Sequence, residues 1–423
     1  MQNIEGFDFF PLVFDRDGTL QDPDQLDALI QHALAGPATD AIFIAHGFRN
    51  DVAEATDLYA EFLRNFRADL RRQQFQGIAG RTYVVAGVYW PSKTFRESFG
   101  EDAASEGTRS LRDPALAMAD AKEQLEELKK DATAAERRSL DKAAALLPKL
   151  QKSTKAQDQF VELVLSTIPR SSLDKDKTEG LRQIRKRKGS ELLARLDGGT
   201  EEGTRGIFGS IAGRVGQLLN LTTWYTMKDR SGTVGASGVA PAVRALRKKT
   251  PDIRVHLVGH SLGGRVMAAC AKALCGRPML QPDSILLLQA AFSHYGFSAD
   301  NGEGTPGFFR DVMEKKLVKG PFVSTFSAED TVVGRAYAIS SRLARDNSRE
   351  IGDASDEFGG IGRNGALKTS EVANGKLLKP GATYTFAPGV ITNLDGSGGL
   401  ITSHGDVRSP AVTYAFASAV AQT

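Results

Sequence analysis

Hydrophobic and polar positions follow two alternating patterns from the start of the chain to about Trp90. Short apolar runs predict strands, and longer stretches with apolar residues three or four positions apart predict helices. The predicted strands are 9–14, 41–45 and 83–89, and the predicted helices are 25–35 and 52–71. Strands that alternate with helices are typical of a mostly parallel sheet covered on both faces. The pattern therefore predicts an α/β fold.

The alternation stops after Trp90 and resumes near Trp224. Between them the chain is rich in Ala, Leu, Lys, Glu and Arg, with helical spacing in "AKEQLEELKKDATAAERRSLDKAAALL" and "FVELVLSTI". We therefore predict a helical insertion at 94–205 that divides one α/β core, 1–93 and 206–423. The segment "GIFGSIAGRVGQLLNL" is interrupted by Arg214 and is too short to span a bilayer, which favours a lid edge or a buried packing segment.

The second part of the core repeats the alternation. We predict helices at 238–248 and from the end of the next strand to Leu274, and a last helix near the end of the sequence. The predicted strands are 255–258, 285–288 and 322–325.

Composition narrows the class of protein. The 423 residues are 41% apolar and carry 54 basic against 51 acidic side chains, a net charge of +3, so no nucleic-acid partner is expected. The first residues lack a basic leader, and no apolar stretch reaches the roughly 20 residues of a membrane helix, so we expect a cytoplasmic protein without a membrane span. Cys270 and Cys275 are expected to be reduced.

The basic stretch "IRKRKG" (184–189) is interpreted as a solvated helix face or a peripheral contact with anionic lipid.

The strongest chemical signal is "RVHLVGHSLGGRVMAACAKAL". An apolar run leads into Gly259-His260-Ser261-Leu262-Gly263, and a helix of small residues follows, as a nucleophile elbow requires. The pentapeptide alone is a weak motif in a chain with 43 glycines, but the predicted strand and helix around it strengthen it. Ser261 is therefore the candidate nucleophile.

A serine nucleophile needs a histidine base and an acid that orients the base. In the order nucleophile, acid, histidine, only His404 and His294 follow Ser261. We favour His404, in "GLITSHGDV", as the base. No position for an acid lies between Ser261 and His294, so His294 is expected to be a pocket-wall or core residue. "GPFVSTFSAEDTVVG" provides the acid after a strand, with Asp330 preferred and Glu329 as the alternative.

The oxyanion of an acyl transfer needs two backbone donors. Leu262 begins the helix after the nucleophile, and "AIFIAHGFRND" provides a second donor at Phe48. His46, Gly47 and His260 are then expected to border the substrate site as structural neighbours and not as bases.

The motifs "AHGF", "GVYWPS", "GHSLGG", "SAEDTVV" and "SHGDV" together resemble the α/β-hydrolase superfamily, in particular lipase- and esterase-like serine hydrolases. The resemblance covers roughly residues 7–93 and 206–421 and leaves the insertion unmatched. It implies the α/β-hydrolase fold, a catalytic triad of Ser261, Asp330 and His404, and hydrolysis or transfer of an acyl group without a metal or an organic cofactor.

We therefore expect a carboxylic ester hydrolase that acts on a small acyl ester or a lipid through an acyl-enzyme intermediate. The insertion leaves the sheet after Trp90, at the carboxyl edge, so it is expected to be a cap domain that shapes the acyl pocket. A thioesterase or a serine peptidase with the same triad is an alternative function. A non-catalytic binding protein of the same fold, with the insertion as its docking surface, is the alternative from another class.

A second motif is typical of a different class of enzyme. "PLVFDRDGTL" (11–20) begins like the active site of dehalogenase-type phosphatases, with Asp15 and Asp17 after an apolar run. Such an enzyme also needs an acidic pair after a later strand to hold Mg²⁺. The only tempting partner, "GDASDEF" (352–358), follows a polar stretch and is expected on a solvated loop. We therefore interpret "FDRDGTL" as a strand followed by a turn.

Overall fold

The computed structural model describes residues 1–36, 38–48, 50–92, 114–130, 132–170, 176–196, 211–301, 304–344 and 354–423. It divides into two compact units. The first contains Met1–Lys93, Arg230–Val333 and Gly359–Thr423, and the second contains Thr94–Asp229 and Gly334–Phe358. The predicted insertion, 94–205, falls within the second unit, which continues to Asp229 and includes a later segment. The beginning of that insertion and the glycine-rich residues 206–210 lie outside the described residues.

The strands form one sheet with the order β1-β2-β4-β3-β5-β6-β7-β9-β8. Every neighbouring pair is parallel except β1 with β2. The prediction of an α/β fold with a mostly parallel sheet is confirmed. The strands are β1 (Gln2–Ile4), β2 (Phe7–Val13), β3 (Asp40–Ala45), β4 (Tyr83–Tyr89), β5 (Arg254–His260), β6 (Ser284–Leu288), β7 (Phe322–Phe326), β8 (Val372–Lys376) and β9 (Ile391–Asp395).

The helices connect these strands or belong to the second unit. They are α1 (Pro23–Ala35), α2 (Val52–Leu70), α3 (Gln76–Ala79), α4 (Pro114–Lys130), α5 (Ala134–Leu146), α6 (Thr154–Leu165), α7 (Leu181–Ile184), α8 (Gly189–Arg195), α9 (Ile211–Thr233), α10 (Ala240–Lys249), α11 (Leu262–Ala273), α12 (Arg310–Glu314), α13 (Thr331–Ala344), α14 (Ile361–Asn364) and α15 (Pro410–Val420). A π-helical stretch, Val234–Val239, joins α9 to α10.

Helices cover both faces of the sheet, and because successive strand residues point to opposite sides, each strand packs against helices on both faces. On β2, Phe9 packs against Tyr59 of α2, and the next residue, Phe10, packs against His32 of α1. On the α2 side, Phe416 of α15 completes an aromatic core with its ring 4.9 Å from that of Phe66. This two-sided burial makes β3, β4 and β6 almost wholly apolar, so the sequence pattern predicts them as continuous apolar runs.

Every regular element in the described residues of the second unit is a helix. Its interior contains a charged cluster in which the buried Lys228 ammonium contacts the Glu179 carboxylate and lies 2.6 Å from the Tyr337 hydroxyl. In the basic stretch 184–189, Arg185 donates to the Ile168 carbonyl and Arg187 to Glu191, whereas the neighbouring lysines are exposed. Two of the four cationic side chains in this basic stretch thus form hydrogen bonds within the protein. The contact with anionic lipid stays a prediction.

No helix in the described part of the chain is both long enough and apolar enough to cross a membrane. Both cysteines are free; Cys270 is buried and Cys275 is half-buried.

Candidate active site

Parallel strands direct several polar residues of the first unit to one edge of the sheet. His46 follows β3, Ser261 follows β5, Gln289 follows β6, and the turn after β7 holds Asp330. His404 lies in the loop between β9 and α15. The carboxyl edge of a parallel sheet is where α/β proteins bind their ligands.

Ser261 occupies a strained turn between β5 and α11. Its backbone has φ 56° and ψ −122°, a left-handed region that a side-chain-bearing residue rarely adopts. The turn is tight because a Cβ at Gly263 would lie 2.3 Å from the Ala45 carbonyl oxygen. Only glycine therefore fits there. Leu262 opens α11, and the first N–H groups of a helix have no acceptor within it, so its amide can face a developing negative charge.

Asp330 and His404 form an ion-pair-type hydrogen bond. His404 Nδ1 lies 2.7 Å from Asp330 Oδ2. The Asp330 side chain is fully buried, and its other oxygen, Oδ1, accepts the Val333 amide at 3.0 Å. Glu329, the alternative acid, instead accepts the amide of Gly398 through Oε1 at 2.9 Å. The structure therefore brings Asp330, and not Glu329, to the histidine.

His260 connects the nucleophile turn to the His404 loop. Its Nε2 donates to the His404 carbonyl at 3.1 Å, and the two imidazole rings lie 4.8 Å apart. Burial, together with the nearby His404, lowers the pKa of His260 well below its ordinary value, so the ring is neutral. Within the described part of the chain, no hydrogen bond joins the Ser261 hydroxyl to His404. Catalytic hydrogen bonds of ligand-free enzymes often form only when substrate binds.

His46 is held in one orientation in the loop after β3. Its Nε2 accepts the Trp90 amide at 3.2 Å, and its Nδ1 lies 3.0 Å from the Gly47 carbonyl oxygen. Its own amide donates to the Tyr59 hydroxyl at 2.9 Å, and Tyr59 in turn donates to the Val88 carbonyl. Burial lowers the pKa of His46 to about 4, against the opposing effect of the Gly47 carbonyl. A neutral, clamped His46 fixes the loop that contains Gly47 and Phe48.

Gln289 was missed by the sequence reasoning. This buried residue has φ 44°, and its Nε2 donates to the Ser403 carbonyl at 2.9 Å and lies 3.4 Å from Asp330 Oδ2. It therefore joins the acid to the residue preceding His404. The only signal in the sequence was its position directly after the predicted strand 285–288. The next predicted strand, 322–325, leads to Asp330.

His294 does not meet this cluster. It is buried and its Nδ1 lies 3.0 Å from Asn364 Nδ2. The expectation of a core or pocket-wall residue agrees with this placement.

A second Ser-His-Asp arrangement lies at the opposite, amino edge of the sheet. His256 Nδ1 is 2.8 Å from Ser284 Oγ, and its Nε2 is 2.9 Å from Asp40 Oδ1. All three side chains are at most 1% exposed, so no substrate can reach them. Burial raises the pKa of Asp40, but the hydrogen bonds from His256 and Thr39 outweigh it and hold that pKa below its usual value. We interpret this group as a structural connection between β3, β5 and β6.

The phosphatase-like stretch forms a turn after β2. Asp15 Oδ1 accepts the amides of Asp17 and Thr19, and Gly18 has φ +82°. The expectation of a solvated loop for "GDASDEF" was wrong for Asp356, which is buried. Its carboxylate is satisfied there because it accepts the Ser341 hydroxyl and the Phe358 amide. Residues 352 and 353 lie outside the described ranges. The side chains that the structure describes contain no group of three or more His, Cys, Asp or Glu placed to hold a metal ion.

Comparisons with protein-family models, curated proteins and solved structures gave no match to this chain.

Proposed function

We propose that the chain is a serine hydrolase of the α/β-hydrolase superfamily that cleaves carboxylic esters. The observation that carries the proposal is the 2.7 Å contact between His404 Nδ1 and the buried Asp330 at the sheet edge where the strained Ser261 stands. The order serine, acid, histidine along the chain supports it further.

In the proposed mechanism, Asp330 holds His404 with Nδ1 protonated, which leaves Nε2 to act as the base. His404 removes the Ser261 proton while the hydroxyl oxygen attacks the ester carbonyl. The amides of Leu262 and Phe48 stabilise the oxyanion. The imidazolium then protonates the leaving alcohol. In the second half of the reaction, His404 takes a proton from water while the water oxygen attacks the acyl carbonyl. The proton passes to the Ser261 oxygen as the carboxylic acid leaves.

Thioesters and peptides pass through the same tetrahedral intermediate, so the proposal includes them as alternative substrates. A cap role for the helical insertion and a cytoplasmic location are further parts of the proposal. Deletion of residues 94–205 without any change in substrate preference would count against the cap.

The test is hydrolysis of p-nitrophenyl esters, with thioesters and peptide p-nitroanilides assayed alongside. We expect Ser261→Ala to lose at least about 10³-fold in kcat/KM. Ser370→Ala is the matched control because Ser370 is exposed and, within the described residues, its hydroxyl bonds only to the neighbouring Glu371. Equal rates for the wild type and Ser261→Ala would favour the non-catalytic binding protein.

A further inference from the structure

A cavity of about 230 Å³ lies in the first unit, at the carboxyl ends of β2, β3 and β4. We propose that it binds the acyl chain of the substrate and restricts that chain to a short, neutral, apolar group. This inference rests on the proposed function. Most of the lining is apolar and consists of Val13, Phe14, Val52, Tyr89, Trp90 and Pro91.

The size of the cavity sets the size of its occupant. A cavity of roughly 150 Å³ accommodates benzene, whereas pockets for drug-sized ligands measure roughly 300–1,000 Å³. A volume of about 230 Å³ therefore suits an aliphatic chain of about four to eight carbons or a single aromatic ring. The end of a long fatty acyl chain would extend beyond it.

Several polar groups of the lining already have partners within the protein. His46 Nε2 accepts the Trp90 amide, Ser92 Oγ donates to the Asn50 carbonyl at 3.1 Å, and Asp51 Oδ1 accepts the Glu54 amide at 2.9 Å. The lining contains no Lys or Arg among the described residues. An anionic acyl group would therefore lose its hydration beside Asp51 without gaining a counter-charge from the described lining, which favours a neutral group over an anion.

The cavity reaches the loop that packs against the nucleophile turn. His46 lines it, and a Cβ on the following residue, Gly47, would lie 2.7 Å from the Ser261 Cβ. The leaving group has to be near His404, which protonates it. Neither Asp330 nor His260, the residues that contact His404, lines the cavity. The acyl side of the ester is consequently the side that points toward the cavity.

Two lining residues form an apolar rim that can be substituted without disturbing the core. Val13 is 38% exposed and Val52 is 63% exposed, and both belong to the few exposed large hydrophobic residues of the described chain. Val52 is also the first residue of α2, where a larger side chain meets little of the helix. Leu34 of α1 is a matched control because it is 48% exposed and does not line the cavity.

The first experiment measures kcat/KM for p-nitrophenyl esters from acetate to hexadecanoate. For the wild type we expect a rise of roughly fourfold per methylene up to about eight carbons and a fall beyond. Val52→Phe should lower the octanoate-to-acetate ratio by roughly tenfold or more, whereas Leu34→Phe should leave it unchanged. Ester hydrolysis with the same chain-length profile in both variants would overturn the proposal.

The second experiment measures binding without catalysis. In Ser261→Ala/Trp224→Phe protein, Trp90 is the only tryptophan, and it lines the cavity. We expect saturable quenching of its fluorescence by 2-octanone that Val52→Phe weakens at least fivefold and Leu34→Phe does not. Quenching that is equal in the two variants also overturns the proposal. Binding without any Ser261-dependent hydrolysis would instead support the cavity as an apolar site and refute the proposed function.

Discussion

Gln289 gives the sharpest test of how the candidate triad is held. Its amide nitrogen contacts the Ser403 carbonyl at 2.9 Å and lies 3.4 Å from Asp330 Oδ2, the same oxygen that contacts His404. We compare two substitutions. Gln289→Leu removes both contacts, and Gln289→Glu keeps the shape of the side chain but replaces the donor with a negative charge.

The structure predicts which of the two substitutions is more harmful. Loss of two hydrogen bonds, one of them to a charged group, costs about 2–4 kcal/mol in Gln289→Leu. In Gln289→Glu, two carboxylates about 3.4 Å apart repel each other by about 5 kcal/mol at an effective dielectric constant of 20. This repulsion raises the pKa of one carboxyl, so the pair retains a proton near neutral pH. A protonated Asp330 no longer stabilises the His404 imidazolium.

The assay is kcat/KM for p-nitrophenyl butanoate between pH 6 and 9, with the unfolding free energy measured in parallel. We expect Gln289→Leu to lose roughly 10- to 100-fold with the wild-type shape of the pH profile. Gln289→Glu should lose more at pH 7 and recover as the pH rises and the shared proton leaves. If Gln289 only fills space, the isosteric Glu variant will be the milder one at every pH, and that result would refute the reasoning.

Two further predictions concern the buried histidines His256 and His46. His256→Asn breaks the contacts with Asp40 and Ser284, and we expect it to cost about 2–4 kcal/mol in urea unfolding while Ser261-dependent hydrolysis persists below the melting temperature; loss of activity at unchanged stability would contradict the structural role. His46 has a pKa of about 4 in the folded protein but an ordinary value of 6.5, so the unfolded chain binds the proton first and stability falls as the pH drops from 6.5 toward 4. The wild type should therefore lose about 1 kcal/mol more than His46→Gln between pH 6 and 5, and equal slopes would show that His46 accepts a proton in the folded state.

The central strands were predictable because they are buried on both faces. β3 and β4 appear as continuous apolar runs, and their predicted positions differ from the structure by at most one residue. β8 (Val372–Lys376) and β9 (Ile391–Asp395) were not predicted, since "VANGK" and "ITNLD" contain few apolar residues. Pairing with a neighbouring strand, and not local pattern, makes these two segments strands.

The part of the site that lies within one local sequence motif was predictable. The strand, turn and helix around Ser261 follow directly from the residue pattern. The choice between Glu329 and Asp330 depends on how the turn after β7 directs two adjacent carboxylates, which spacing alone does not decide. Gln289 lies far along the chain from Ser403, so only the tertiary structure brings the two together.

The most direct test of the central claim is the position of a covalent adduct. A fluorophosphonate reacts with a serine that a neighbouring base activates. After labelling of the full chain at pH 7.5 and digestion, peptide mass spectrometry should place the phosphonate on Ser261, with labelling abolished by Ser261→Ala and strongly slowed by His404→Ala. An adduct on any other residue, or no adduct on the folded wild-type protein, would contradict the account.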